Sequence, residues 1–139
     1  AWAKREFRNL LLAREARVAV PKPLAFRNNV RGEELIGDEY AAPRLSSKKP
    51  QNPQKFFALL LNEMKKLYAH NLVHGDLSQF NILNFDEKPV LIDFSHTTTK
   101  EKPRFTELFE RDTRIICNYF NKVGLSLRLP DILKAIQHG

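Results

Sequence analysis

The stretch His74-Gly75-Asp76-Leu77-Ser78-Gln79-Phe80-Asn81, "HGDLSQFN", gathers a histidine, an aspartate and an asparagine around the apolar Leu77. It reads as a loop between a long helix and a hairpin. On its N-terminal side, Asn52 before Pro53 is an N-cap with proline at the first helical position, and Phe57, Leu60, Leu61, Met64, Leu67 and Tyr68 mark one apolar face up to His70. On its C-terminal side, Ile82 and Leu83, a turn over residues 86–89, and Val90, Leu91 and Ile92 suit two short strands. Asp93 then falls at a strand end, and Asp76, Asn81 and Asp93 are predicted to face one space.

Working outward, residues 1–16 carry Ala3, Phe7, Leu10 and Leu11 at helical spacing, with Lys4, Arg5, Arg8 and Arg14 on other faces. Pro21 and Pro23 stop that helix and hold an extended connector. Residues 28–53, broken by Gly32, Gly37, Pro43, Pro50 and Pro53, read as mostly loop. A second long helix is expected over 104–122, burying Phe105, Leu108, Phe109, Ile115, Ile116, Tyr119 and Phe120. A last helix begins at Pro130 and buries Ile132, Leu133 and Ile136. The fold class is α+β, mostly α.

A chain of 139 residues has the size of one domain. It begins with Ala1, directly in a helical pattern, and reads as a fragment or partial representation of a longer chain. It has no apolar run long enough to span a bilayer as a helix, and it reads as cytoplasmic, with no membrane partner. With Cys117 as the single cysteine, an internal disulfide and a zinc site of several thiolates are both excluded; its place in an apolar run makes it a small buried hydrophobe. Lys and Arg total 23 against 16 Asp and Glu, a net charge of +7 that favours polyanionic partners such as RNA or nucleotides. The modest cluster Arg44, Lys48 and Lys49 reads as a solvated loop.

A carboxylate, an amide oxygen and nucleotide phosphates make a reasonable shell for Mg²⁺, which takes hard oxygen ligands and keeps several waters. The spacing H-x-D-x-x-x-x-N, with I-D-F further on at Ile92, Asp93 and Phe94, is the pattern of a protein-kinase-like catalytic loop and metal loop. In that scheme Asp76 orients or deprotonates the attacking hydroxyl, while Asn81 and Asp93 hold the metal. Taken singly, Asp76 and Asn81 are ordinary turn formers and Asp93 an ordinary strand-end residue. Their order, each after the expected helix or strand, favours the site. His74 reads as a packing and hydrogen-bonding residue of the loop rather than a proton carrier.

"LVHGDLSQFNIL", "VLIDFSHTTT" and "FERDTRIICNYF" resemble the RIO atypical serine protein kinases, whose catalytic loop reads H-x-D-L-S-x-x-N and whose metal loop reads I-D-x-x-Q. Ser78, where ordinary protein kinases have lysine, is the more specific mark. "WAKREFRNLLLAREARVAVPKP" resembles the helix and proline-rich connector before the hinge, and "ELIGDEYAAPRL" the hinge and the segment after it. Archaeal-type members of the first RIO subfamily are nearest in flavour. The resemblance implies a protein-kinase-like fold and ATP with Mg²⁺ as cofactors, Mn²⁺ being an alternative metal. It also implies a serine/threonine kinase or ATPase acting in maturation of the small ribosomal subunit, with a pre-ribosomal particle or rRNA as partner. By motif position Asp76 is the catalytic aspartate, Asn81 and Asp93 are metal ligands, and Asp93 is a phosphate acceptor. Glu6 matches the acidic partner of an ATP-contacting lysine.

The departures are as informative. These residues contain no glycine-rich loop and no strand with a phosphate-binding lysine, so the expectation is an N-lobe remnant over 1–37 and a kinase-like C-terminal lobe over 38–139. Arg31, Gly32 and Glu33 would make a poor buried hinge strand. His96 and Thr97 differ from the family's usual residues. Gly75 occupies the position of the arginine that receives an activation-loop phosphate in regulated kinases, and only residues 94–103 separate Asp93 from the next helix, with no A-P-E sequence. This suits an ATPase-like switch or a small substrate. Two alternatives stand beside it: an aminoglycoside- or choline-type phosphotransferase, and a non-catalytic RNA- or ribosome-binding module.

Overall fold

Asn52 starts the central helix by accepting the Lys55 N–H on its side-chain oxygen at 3.1 Å, and Pro53 supplies the first helical φ. In the computed structural model, which describes residues 2–20 and 42–139, the element order is α1 (Trp2–Glu15), α2 (Pro53–Ala69), β1 (Leu72–Val73), β2 (Ile82–Phe85), β3 (Lys88–Leu91), β4 (Thr98–Thr99), α3 (Phe105–Lys122) and α4 (Leu129–His138). The hinge-like segment with Arg31, Gly32 and Glu33, and the boundary expected at residues 37 and 38, lie outside the described residues.

Helix α2 buries Phe56, Phe57, Leu60, Met64 and Leu67, the stripe its spacing requires. Against that stripe α3 sets Phe105, Leu108, Phe109, Ile116 and Phe120. Aromatic rings stitch the seam: Phe57 lies 5.2 Å from Phe120 and Tyr68 4.7 Å from Phe109, centroid to centroid. Helix α4 lies against α2 and α3 and buries Ile136, with Ile132 and Leu133 only partly covered. Cys117 is buried in the α3 face.

Helix α1 buries Leu10, Ala13 and Ala16, whereas Leu11, expected on the same face, is 43% exposed. Leu10 and Ala13 lie three apart and Leu11 sits a full step round the helix, so the buried stripe is narrower than the apolar pattern. The helix ends with Arg17 at φ 63°, and Val18 N–H reaches back to the Ala13 carbonyl, a left-handed C-terminal cap. Lys66 of α2 donates to the Arg17 carbonyl, and buried Glu63 accepts the Ala19 N–H at 2.7 Å. These bonds fasten the end of α1 to the centre of α2.

Strands β2 and β3 form an antiparallel hairpin in the register Ile82 to Leu91 through Phe85 to Lys88. The expected turn over residues 86–89 is shorter: Asp86 and Glu87 alone make it, with φ 51° and 67°, and Lys88 and Pro89 belong to β3. Two left-handed residues give the turn a twist that matches the strands. Asn84, buried, accepts the Glu87 N–H at 2.8 Å and fixes it. Pro89 is tolerated because it faces Asn84, whose own N–H goes outward to the Pro43 carbonyl, so this pair makes no ladder bonds. A second ladder, β1 with β4, pairs Leu72 with Thr99 and Val73 with Thr98. No period announces it, since each strand has only two residues.

Candidate functional site

The β1–β4 ladder draws together the two loops that matter, because β1 runs directly into His74 and β4 comes just after the segment that leaves Asp93. Ile92 is their junction. Its N–H donates to the Asn81 carbonyl at 3.1 Å, and its own carbonyl accepts from His74 Nε2 at 2.8 Å. Both ends of the His74–Asn81 loop therefore grip the residue just before Asp93. The ring of His74 is buried and lies 4.8 Å from that of Phe94. Its Nδ1 accepts the Asp76 N–H at 3.1 Å, which leaves the ring proton on Nε2. His74 is thus a loop organiser.

Asn81 donates from Nδ2 to the Asp76 carbonyl at 2.8 Å and to Asp76 Oδ2 at 3.3 Å. With the amide nitrogen so committed, its oxygen is turned to the other side, as a cation ligand requires. Asp93 has φ 61°, a left-handed conformation uncommon outside glycine, and accepts Ser95 Oγ on Oδ1 at 2.8 Å. Asp76, Asn81 and Asp93 are all half-buried, open to a ligand on one side. Among the described residues no cluster of three or more His, Cys, Asp or Glu side chains could hold a metal by itself. The Asp93 carboxylate and the Asn81 amide oxygen do fit a cation that completes its shell with phosphate oxygens and water. Ser78 Oγ accepts the Phe80 N–H at 3.1 Å, tightening the loop. Glu6 lies in α1, but its side chain is outside the described residues.

Three residues without a role in the sequence motifs hold this assembly in place. Asp112 of α3, 3% exposed, accepts the Gly75 N–H at 2.8 Å on one oxygen and the Leu77 N–H at 3.1 Å on the other. Arg111 donates to the Gly75 carbonyl at 2.7 Å. Burial pushes the Asp112 carboxyl above its ordinary value of 3.8, against the downward pull of the neighbouring His74 ring, the two N–H groups and Arg111. From α1, Asn9 donates to the Phe94 carbonyl at 2.6 Å and so ties that helix to the residue after Asp93. A signal for Asp112 is present in the sequence: it stands three residues after Phe109 and four before Ile116, a charged residue in the middle of a buried stripe.

Gly75 has φ 95°, and a Cβ there would overlap the His96 carbonyl oxygen. A side chain at this position, arginine included, would require the backbone of one of the two segments to shift.

Comparison with known proteins places this arrangement. The family model of the RIO domain matches residues 1–132. The RIO-type serine/threonine-protein kinase Rio1 of Haloferax volcanii is 39% identical over 125 residues, which span 89% of this chain and 43% of that protein. Its namesake in Methanocaldococcus jannaschii is 38% identical over 138 residues, 98% of this chain and 47% of that protein. Serine/threonine-protein kinase RIO1 of Saccharomyces cerevisiae is 32% identical over 133 residues, 91% of this chain and 28% of that protein. This chain therefore spans less than half the length of each of these relatives. Among solved structures, the Rio2 kinase of Chaetomium thermophilum superposes with a TM-score of 0.71 at 24% identity, covering 95% of this chain and 44% of that one. A complex of that kinase described as ADP/Mg²⁺-phosphoaspartate gives 0.69 at 24% identity, over 99% and 44%. The fold is protein-kinase-like.

Proposed function

We propose that this chain, which belongs to the RIO family of serine/threonine-protein kinases, is chiefly the C-terminal lobe of an ATP- and Mg²⁺-dependent phosphotransferase or ATPase. The observation that carries the reading is the clamp on Ile92, which sets Asp93 beside the loop that holds Asp76 and Asn81. In this reading residues 1–37 are the remnant of the N-lobe and 38–139 the C-lobe. Asp76 accepts the proton of the attacking hydroxyl or water, and the Asn81 amide, held against the Asp76 carbonyl, keeps that carboxylate in place. Asn81 Oδ1 and the Asp93 carboxylate are the ligands for Mg²⁺. When bound, the cation neutralises charge on the phosphate oxygens. Glu6 is the partner of a lysine in the nucleotide cradle.

Asp93 also serves as phosphate acceptor in this proposal: its carboxylate oxygen attacks the γ-phosphorus of ATP, the bond to the ADP oxygen breaks, and water later hydrolyses the acyl phosphate. The description of the Chaetomium thermophilum Rio2 complex as a phosphoaspartate is consistent with that role. The net charge of +7 supports a polyanionic partner, in this proposal a precursor of the small ribosomal subunit or its rRNA met in the cytoplasm.

In the full-length protein that carries this chain, Asp76→Asn is expected to reduce ATP turnover by about 10²–10⁴-fold, the range of a lost general base. Near-normal turnover would remove Asp76 from the chemistry. Asp93→Asn should abolish an acid-stable, hydroxylamine-sensitive phosphoprotein; survival of that species in the variant would show that another group is the acceptor.

A further inference from the structure

A cavity of about 590 Å³ opens between α1 and residues 95–104. Arg5 and Arg8 line it from α1, and Lys102 and Arg104 from the approach to α3. No carboxylate is among the lining side chains of the described residues, and neither Asp76, Asn81 nor Asp93 reaches it. Arg104 pairs with Glu107 at 3.2 Å, but both side chains are more than half exposed, so solvent screens the pair heavily. Glu101, which is not among the lining residues, accepts from the Thr99 hydroxyl. The cations thus come from two separate walls of one cavity.

We infer that this cleft is a second anion site, which takes the phosphate dianion of a phosphorylated protein side chain. Guanidinium groups on one wall match phosphate oxygens in pairs, and a lysine on the other supplies a point charge. The volume suits a modified side chain with its flanking residues. A nucleic-acid backbone strings its phosphates along the chain and calls for a row of cations on an open groove, whereas these converge on one cavity. The position gives the site a consequence. Asn9, which lines the cleft, donates to the Phe94 carbonyl, and Ser95, also in the lining, donates to Asp93. A dianion bridging the two walls would pin α1 to the metal loop. With Gly75 in place of an arginine, the cleft offers a phosphate receptor built from other positions.

The test is calorimetric titration of the full chain with a short alanine-rich peptide carrying one phosphoserine, its unphosphorylated form, inorganic phosphate, and a single-stranded RNA oligomer. The phosphopeptide is expected to bind about tenfold or more tighter than the unphosphorylated peptide, a difference of one charge-assisted contact or more. Arg8→Glu combined with Lys102→Glu should remove that preference, Arg8→Gln with Lys102→Gln should weaken it, and Lys134→Glu, remote from the cleft, should leave it intact. The altered positions are solvent-exposed, and unchanged circular dichroism would verify the fold. Equal binding of both peptides, or full binding by the charge-reversed variant, overturns the site. Tighter binding of inorganic phosphate or of RNA overturns the protein side chain as the ligand. Displacement of the phosphopeptide by ADP with Mg²⁺ would make the cleft part of the nucleotide site and overturn its independence; persistence of binding in Asp93→Asn separates this inference from the proposed chemistry.

Discussion

His74 and Ile92, 18 residues apart in sequence, are joined by a 2.8 Å hydrogen bond from the imidazole Nε2 to the main-chain carbonyl. Since Ile92 also donates its N–H to Asn81, the histidine fixes the point from which Asp93 departs. His74→Phe keeps a ring against Phe94 but leaves the Ile92 carbonyl and the Asp76 N–H without their partners. The expected loss of stability is about 1–3 kcal/mol, the cost of unsatisfied buried polar groups. Urea unfolding measures it, and a loss near zero would show that water replaces the ring. On the proposed reading, turnover of the full-length protein should fall as well without a shift in its pH dependence, because His74 positions the loop and is not the base.

Gly75→Ala tests the close approach of the His74–Asn81 loop to His96. A methyl group overlapping the His96 carbonyl oxygen cannot be accommodated without a shift, and φ 95° is itself unfavourable for alanine. The strained backbone alone costs about 1–3 kcal/mol, and the overlap adds to it. Either the loop shifts, separating Gly75 from Asp112, or the domain unfolds at a markedly lower temperature. An unchanged melting temperature would contradict the placement of His96 over Gly75.

Much of this architecture is legible in the sequence because it obeys short-range rules. The Asn52-Pro53 cap, the α2 and α3 stripes and the H-x-D-x-x-x-x-N spacing are local or periodic, and the helices begin and end within about two residues of expectation. The rest depends on contacts between distant segments. The two-residue β1–β4 ladder has no period to detect, and Leu11 belongs by its spacing to a buried face that Leu10 and Ala13 occupy instead. Glu63 and Asp112 are charged residues whose roles appear only when the backbone N–H groups they accept, from Ala19, Gly75 and Leu77, are brought to them. The hairpin turn reads two residues too long because Lys88 and Pro89 are poor strand formers, and the side chain of Asn84 overrides that preference.

Glu87 joins the hairpin turn to the start of α2. Slight burial raises its pKa, but the N–H groups of Gln51 and Asn52, the Asn84 amide and nearby Lys48 together hold it below the ordinary 4.5. A carboxyl depressed on folding contributes stability that is present above the unfolded value and is lost as pH falls through the folded one. The wild type should therefore be more stable than Glu87→Gln near neutral pH, and the gap in melting temperature should close on acidification. A gap independent of pH would mean that the charge of Glu87 plays no part.

Asp112 should show the opposite slope. Its carboxyl is raised above 3.8 by burial, so the folded state holds its proton more tightly than the unfolded state does. That contribution is complete below 3.8 and declines as pH rises through the raised folded value, which makes the ionised form the less stable one in this environment. Carbon-detected NMR titration should find the Asp112 carboxyl midpoint above that of exposed aspartates, and Asp112→Asn should flatten the corresponding segment of the stability profile. The same variant replaces one acceptor by an NH₂ group facing the Gly75 or Leu77 N–H. Its fold should be weaker by about 1–3 kcal/mol at acid pH, the cost of leaving a buried donor without an acceptor, and the deficit should narrow as pH rises and the wild type loses the contribution of its bound proton. A midpoint below the exposed aspartates would show that the two N–H bonds outweigh burial, and would reverse the predicted slope.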